Sequence, residues 1–100
     1  MQVKSGRKYS DMLNLLLENE RVKVYELNIK SGEKTEMHSH PEYVLYPLTD
    51  SKLSIEYADG KSEQREFKCG DAGYRPAQKH TVENIGTKDA RIVIVELKKK

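Results

Sequence analysis

A chain of 100 residues with 18 Lys and Arg against 16 Asp and Glu carries a net charge of +2, so it reads as one small domain of nearly balanced charge. Its basic residues are scattered except for Lys98, Lys99 and Lys100, a run better explained as a solvated terminus, which excludes a nucleic-acid surface. Cys69 is the single cysteine, so no internal disulfide forms, and no apolar run reaches signal-peptide or membrane-span length; the expected location is cytoplasmic, with no membrane partner.

Residues 1–20 read as an N-terminal arm or edge strand, 21–97 as the folded domain and 98–100 as a basic tail. Met1 to Lys8 is polar and expected to be loose. In YSDMLNLLLEN, Ser10 could cap a short helix containing Met12, Leu13, Leu16 and Leu17, or the leucines could form an edge strand; a short turn followed by a strand is the favoured reading. Leucines so concentrated need cover, which a second subunit would provide, and a homodimer is expected.

RVKVYELNI, Arg21 to Ile29, is rich in β-branched and aromatic residues and stops at Ser31-Gly32, the pattern of a strand entering a turn. Glu42 to Leu48 reads as a strand with Pro41 and Pro47 near its ends, which suggests an edge, a bulge or a strand start. Leu53, Ile55 and Tyr57 alternate with Ser54 and Glu56 ahead of Asp59-Gly60, a hairpin signal, and Ser62 to Lys68 is the return strand. After Cys69-Gly70-Asp71, short extended pieces follow around Ala72 to Arg75 and His80 to Ile85. The last strand, Ala90 to Leu97, is apolar at both parities and is expected to be buried on both faces. Many short strands with Gly and Asp turns and almost no helix predict an all-β sandwich or barrel.

The chemistry of the chain centres on its three histidines. His38 and His40 sit two apart on a predicted strand in GEKTEMHSHPEYVLY, so both imidazoles project from one side. His80 follows in GDAGYRPAQKHTVEN, after a Gly-Asp turn and a proline. Neutral imidazole is the commonest metal ligand, and three of them leave a first-row ion with open positions. His38, His40 and His80 are therefore the predicted ligands of one divalent transition-metal ion, with iron, zinc, manganese, nickel and copper all compatible with nitrogen donors.

Gly32, five residues and His38-x-His40, followed by Gly70, five residues, Pro76, His80, three residues and Asn84, resembles the paired motifs of the cupins. The resemblance covers about Arg21 to Leu97. It implies a small double-stranded β-helix, a jelly-roll barrel with the metal in its interior, and a structural role for Asn84. The sequence departs from the family pattern in three places. The motif glutamate that follows the second histidine is replaced by Val44, or by Tyr43 if the turn is one residue shorter. Gln78 stands near the second motif's middle glycine, and His80 arrives one residue early.

A site of three histidines without carboxylate is similar to that of the three-histidine thiol dioxygenases, and HSHPEYVLYPL with RPAQKHTVENIG looks closest to small stand-alone cupins associated with β-alanine degradation. The resemblance implies a metal-dependent dioxygenase, or else an isomerase or lyase, acting on a small molecule, with anions favoured because neutral donors leave the ion its full charge; the alternative is a cupin that binds or senses a small ligand without turnover. Tyr43, Tyr46 and Glu42 are the candidate catalytic groups, since Glu42 shares the parity of the histidines and counting along the strand puts Tyr46 on their side. Arg75 could clamp a carboxylate and is expected on the face opposite Tyr74 and Pro76. Cys69 has no base nearby in sequence and reads as a turn residue.

Overall fold

Alternating apolar and polar residues, interrupted by turns, give the chain two sheets that face each other across one core. The computed structural model describes residues 8–98; the expectations for Met1 to Arg7 and for Lys99 and Lys100 lie outside them. A 3₁₀ turn, Tyr9–Met12, precedes nine strands: β1 (Leu13–Glu18), β2 (Val22–Ile29), β3 (His38–His40), β4 (Tyr43–Pro47), β5 (Ser51–Tyr57), β6 (Ser62–Phe67), β7 (Gly73–Arg75), β8 (Gln78–Asn84) and β9 (Ala90–Leu97). One sheet has the order β1-β2-β9-β4-β7 and the other β3-β8-β5-β6. Every pairing is antiparallel. No helix among the described residues is long and apolar enough to cross a membrane.

The core is the set of inward residues from both sheets: Leu27, Ile29, Ile92 and Ile94 on one side, Leu53, Ile55 and Val82 on the other. Each such side chain contributes about 1.5–3 kcal/mol when fully buried, so this layer is the main source of stability. Ala90, Ile92 and Ile94 of β9 are buried, but Arg91 is exposed and Val93 and Val95 are only half-buried. The expectation that β9 is buried on both faces is corrected: it is central in its sheet, flanked by β2 and β4, but nothing among the described residues is stacked on its outer face closely enough to bury it.

The turns form where the glycines stand. Gly32, Gly60 and Gly70 all have positive φ, at 85°, 94° and 85°, a region that residues with a Cβ adopt at a cost. Gly32 matters most for the site. It opens the segment leading to β3, and its N–H donates to the Asn84 carbonyl at 2.9 Å. Two residues later the chain is bridged to β8, with Thr35 N–H donating to the Val82 carbonyl at 2.8 Å and Val82 N–H to Thr35 Oγ1 at 2.9 Å. Asn84, 1% exposed, donates from its amide to the carbonyls of Ile29 and Lys88, both at 2.8 Å, and accepts from Gly86 N–H at 2.9 Å. This is the structural role expected of it. Cys69 is an exposed turn residue whose N–H is held by Asp50 at 2.8 Å.

At the N-terminal end the turn-then-strand reading holds, although Ser10 lies inside the 3₁₀ turn and Lys8 precedes it as the cap. Met12 is buried at 2% exposure and anchors the arm, while Leu15, Leu16 and Leu17 of β1 are 54%, 52% and 53% exposed on the edge of the five-stranded sheet. The β1–β2 register shifts between Leu15 and Leu17.

Candidate metal centre

β3 and β8 pair in a register that places His38 directly opposite His80 and His40 opposite Gln78. Cross-strand partners share a face, and residues two apart on one strand share a face, so all three imidazoles are directed into the space between the sheets. His40 and His80 are 6% and 3% exposed. The ring centroids lie 4.7 Å (His38–His40), 4.8 Å (His38–His80) and 5.2 Å (His40–His80) apart, and one nitrogen from each lies within 4.8 Å of the others. The early arrival of His80 in its motif does not displace it from the group.

Two of these rings have an unsatisfied nitrogen in the interior. His38 donates from Nδ1 to the Glu36 carbonyl at 2.7 Å, which fixes the tautomer and leaves Nε2 as a lone pair; Nε2 is buried and has no partner among the described residues. The buried Nδ1 of His80 is likewise without one. Burial pushes the His38 imidazole down to about 4, helped by His40 and opposed by the Glu36 carbonyl. Burial pushes His80 to about 3, with the two neighbouring histidines and the Arg75 charge acting in the same direction. Both rings are neutral nitrogen donors at neutral pH. A buried polar atom without a partner carries a desolvation cost of about 1–3 kcal/mol, and a shared cation would relieve it twice.

His40 is held from the opposite sheet. Its Nδ1 donates to Glu96 Oε2 at 2.8 Å, and the same oxygen accepts from Tyr25 OH at 2.7 Å. Tyr25 in turn lies 3.4 Å from Tyr9 OH, and the Tyr9 ring stacks on His38 at 3.8 Å and 9°. Burial works to raise the Glu96 carboxyl, but the hydrogen bonds from His40 and Tyr25 outweigh it and keep it below the ordinary carboxylate range. Burial pushes the phenols of Tyr9 and Tyr25 well above theirs. In the line Tyr9–Tyr25–Glu96–His40 the carboxylate thus accepts a hydrogen bond from Nδ1 and turns Nε2 away from the five-stranded sheet. This is the support that metal-ligating histidines commonly have.

The candidate catalytic residues separate. Tyr43 is 5% exposed, its ring 4.7 Å from that of His40, and its hydroxyl donates to Gln78 Oε1 at 3.4 Å. Burial raises this phenol to about 12 against the opposing pull of Arg75 and Arg65, so it remains a hydrogen-bond donor at neutral pH. Of the two residues competing for the missing glutamate's slot, Tyr43 is the inward one and Val44 faces out. Tyr46 is 45% exposed, and the expectation that it faces the histidines is corrected. Glu42 is also outside the cluster, its carboxylate accepting from the exposed Tyr74 hydroxyl at 2.7 Å. The physical reason is common to both. β3 and β4 belong to different sheets, so the chain turns over between His40 and Tyr43 and a count of alternating residues cannot be carried through Pro41.

Glu96, Tyr25 and Tyr9 were not singled out by sequence reasoning. For Glu96 a signal existed, since it has the parity of Ala90, Ile92 and Ile94 and is therefore the one acidic residue on the inward face of β9. The histidines, Tyr43, Phe67 and core aliphatics surround a cavity of about 40 Å³.

A solved cupin domain from Bordetella pertussis Tohama I is 31% identical, matching 87% of this chain and 92% of its own, with a TM-score of 0.81. The chain belongs to the cupins. Two further solved structures are similar in fold at lower identity. One, from Bacillus halodurans, is 19% identical over 98% of this cupin and 76% of its own chain, with a TM-score of 0.71. The other is an RmlC-like cupin with a double-stranded β-helix from Methanocaldococcus jannaschii, 16% identical over 97% and 85%, with a TM-score of 0.68. No family model and no curated protein matches the sequence. The predicted all-β double-stranded β-helix is therefore the fold of this cupin, and its three clustered histidines are compatible with a metal ion.

Proposed function

We propose that this cupin holds one divalent transition-metal ion on His38, His40 and His80 and uses it on a small, anionic molecule, as a metal-dependent oxygenase. The single observation behind this reading is the convergence of three imidazoles, two of them with buried, unpartnered nitrogens. An ion bound by neutral donors alone retains its full charge, and so supplies Lewis acidity toward an anion or a water molecule. The chain's own residues orient and enclose. The Glu36 carbonyl and Glu96 fix the tautomers of His38 and His40, Tyr9 covers His38 against water, and Tyr43 offers a hydroxyl proton beside His40. Elemental analysis of untagged protein is expected to find one metal per chain, and His38→Ala or His80→Ala to remove it. Full metal content in both variants would sink the assignment.

The small cavity favours a second reading. About 40 Å³ accommodates roughly three water-sized groups at 10–15 Å³ each, which suits a module that senses or carries a ligand without turning it over. Thermal protection by a ligand with no product formed would select this reading.

The proposal includes a homodimer. Among the described residues β1 is the end strand of its sheet and carries three half-exposed leucines, and a second copy of β1 laid antiparallel would pair its outer edge and cover them by the same surface on each subunit. Light scattering after size exclusion is expected to give twice the chain mass, and Leu15→Glu with Leu17→Glu to give the monomer.

A further inference from the structure

The inner face of the sandwich becomes charged toward its open side. On β6, Glu63, Arg65 and Phe67 lie opposite Ile55, Leu53 and Ser51 of β5. Leu53 and Ile55 are core residues, so their cross-strand partners Arg65 and Glu63 point to the same inner side. On β7, Arg75 lies opposite the inward Tyr43. β6 and β7 are the last strands of the two sheets. The cleft between them, about 140 Å³, is lined by Leu45, Phe67, the cations Arg65, Lys68 and Arg75, and the carboxylates Glu66 and Asp71. Leu45 and Phe67 also line the histidine cavity, so the two spaces share a wall.

The polar groups in this seam are unequally matched. Glu63 Oε2 lies 3.5 Å from Arg75 Nη2 and 3.7 Å from Arg65 Nη1, so two guanidinium groups share one carboxylate. Tyr57 OH donates to the same carboxylate oxygen at 2.6 Å and accepts from Arg75 Nη2 at 3.2 Å. The Tyr57 ring is 6.0 Å from that of His80, which connects the arginine cluster to the histidines through one side chain. Both described contacts of Arg75 use Nη2; Nε and Nη1 have no protein partner among the described residues. Each two-point fork of a guanidinium includes Nη2, so a carboxylate that takes Glu63's place there can accept from Nη2 together with Nε or Nη1, and the Arg75 side chain is 22% exposed.

We propose that the β6–β7 seam is an anion subsite of the metal cavity, where Arg75 and Arg65 take the carboxylate of a small organic acid whose other end faces the three histidines. The inference rests on the metal reading for that other end. Glu63 then acts as a stand-in, neutralising the arginines until the ligand arrives.

The test uses cobalt(II)-loaded protein, with succinate and its neutral analogue succinamide as probes at fixed ionic strength, read by the visible spectrum of the cobalt. Succinate is expected to bind at least ten-fold more tightly than succinamide. Arg75→Met is expected to erase that preference while keeping one cobalt per chain, Arg75→Lys to restore part of it, and Glu63→Gln to tighten succinate binding several-fold by removing the competing carboxylate. Equal binding of the two probes, or an unaltered preference in Arg75→Met with cobalt retained, overturns the subsite. Should Arg75→Met lose cobalt through misfolding, Glu63→Gln decides, and unchanged or weaker succinate binding there overturns it as well. Failure of the native protein to take cobalt refutes the metal reading separately. In that event perturbation of the Arg75 Nε–H resonance by succinate and not by succinamide upholds the subsite, and its absence overturns it.

Discussion

The two halves of the interior share one backbone plan and are filled by different physics. Around Ile29, Ala90 and Ile92 the inward positions are aliphatic and buried to 3% exposure or less, and stability there comes from volume and area. Around His40, Tyr25 and Glu96 the same alternation delivers polar groups that hold one another by hydrogen bonds across the sheets. β9 runs through both, aliphatic at Ala90 and acidic at Glu96. The first half supplies most of the buried apolar area, and the second holds the residues proposed to bind.

This division can be broken by truncation. Ile29→Ala, at a position with no exposure that does not line the histidine cavity, is expected to cost about 3 kcal/mol, within the usual 2–5 kcal/mol for such a change, and to leave metal affinity unaltered. Urea unfolding and metal titration check the two halves of that statement. Glu96→Gln is the converse experiment. It keeps the shape but exchanges the carboxylate for an amide, and is expected to weaken metal binding about 10–100-fold with a smaller effect on folding. A loss of stability as large as that of Ile29→Ala, with metal binding intact, would show Glu96 to be part of the structural half.

A further effect is expected from pH. In the metal-free protein His38 and His80 have folded pKa values near 4 and 3, below the unfolded value of 6.5, so between these limits the unfolded chain binds more protons. Their contribution to stability is complete above about pH 6.5 and declines as the pH falls through 4 and toward 3. Glu96, also lowered, acts in the same direction. Urea midpoints measured from pH 7 to pH 4 should fall, and should fall less in His80→Ala.

The fold was legible because its signals are local. Alternation within β5, the Asp59-Gly60 turn and the glycines at positions 32 and 70 each depend on a few adjacent residues, and the structure uses all of them. The pairing of His38 with His40 was legible for the same reason, since both lie within one strand. Tyr46 and Glu42 were misplaced because parity is a property of a strand and is lost where the chain passes from one sheet to the other. Glu96 was passed over because it is far from His40 in sequence and was read with its aliphatic neighbours, although its parity carried the information. The inward charges of β6 were hidden similarly, since alternation in SEQREF yields a polar residue at nearly every step and Phe67 alone indicates which side is inside.

The hydrogen bond from His40 to Glu96 has a mechanical implication. The two residues belong to opposite walls of the sandwich and are the donor and acceptor of one short bond. The orientation of this imidazole is thereby geared to the gap between the walls, and its ring NMR signals should register any breathing of the barrel before the aliphatic layer responds.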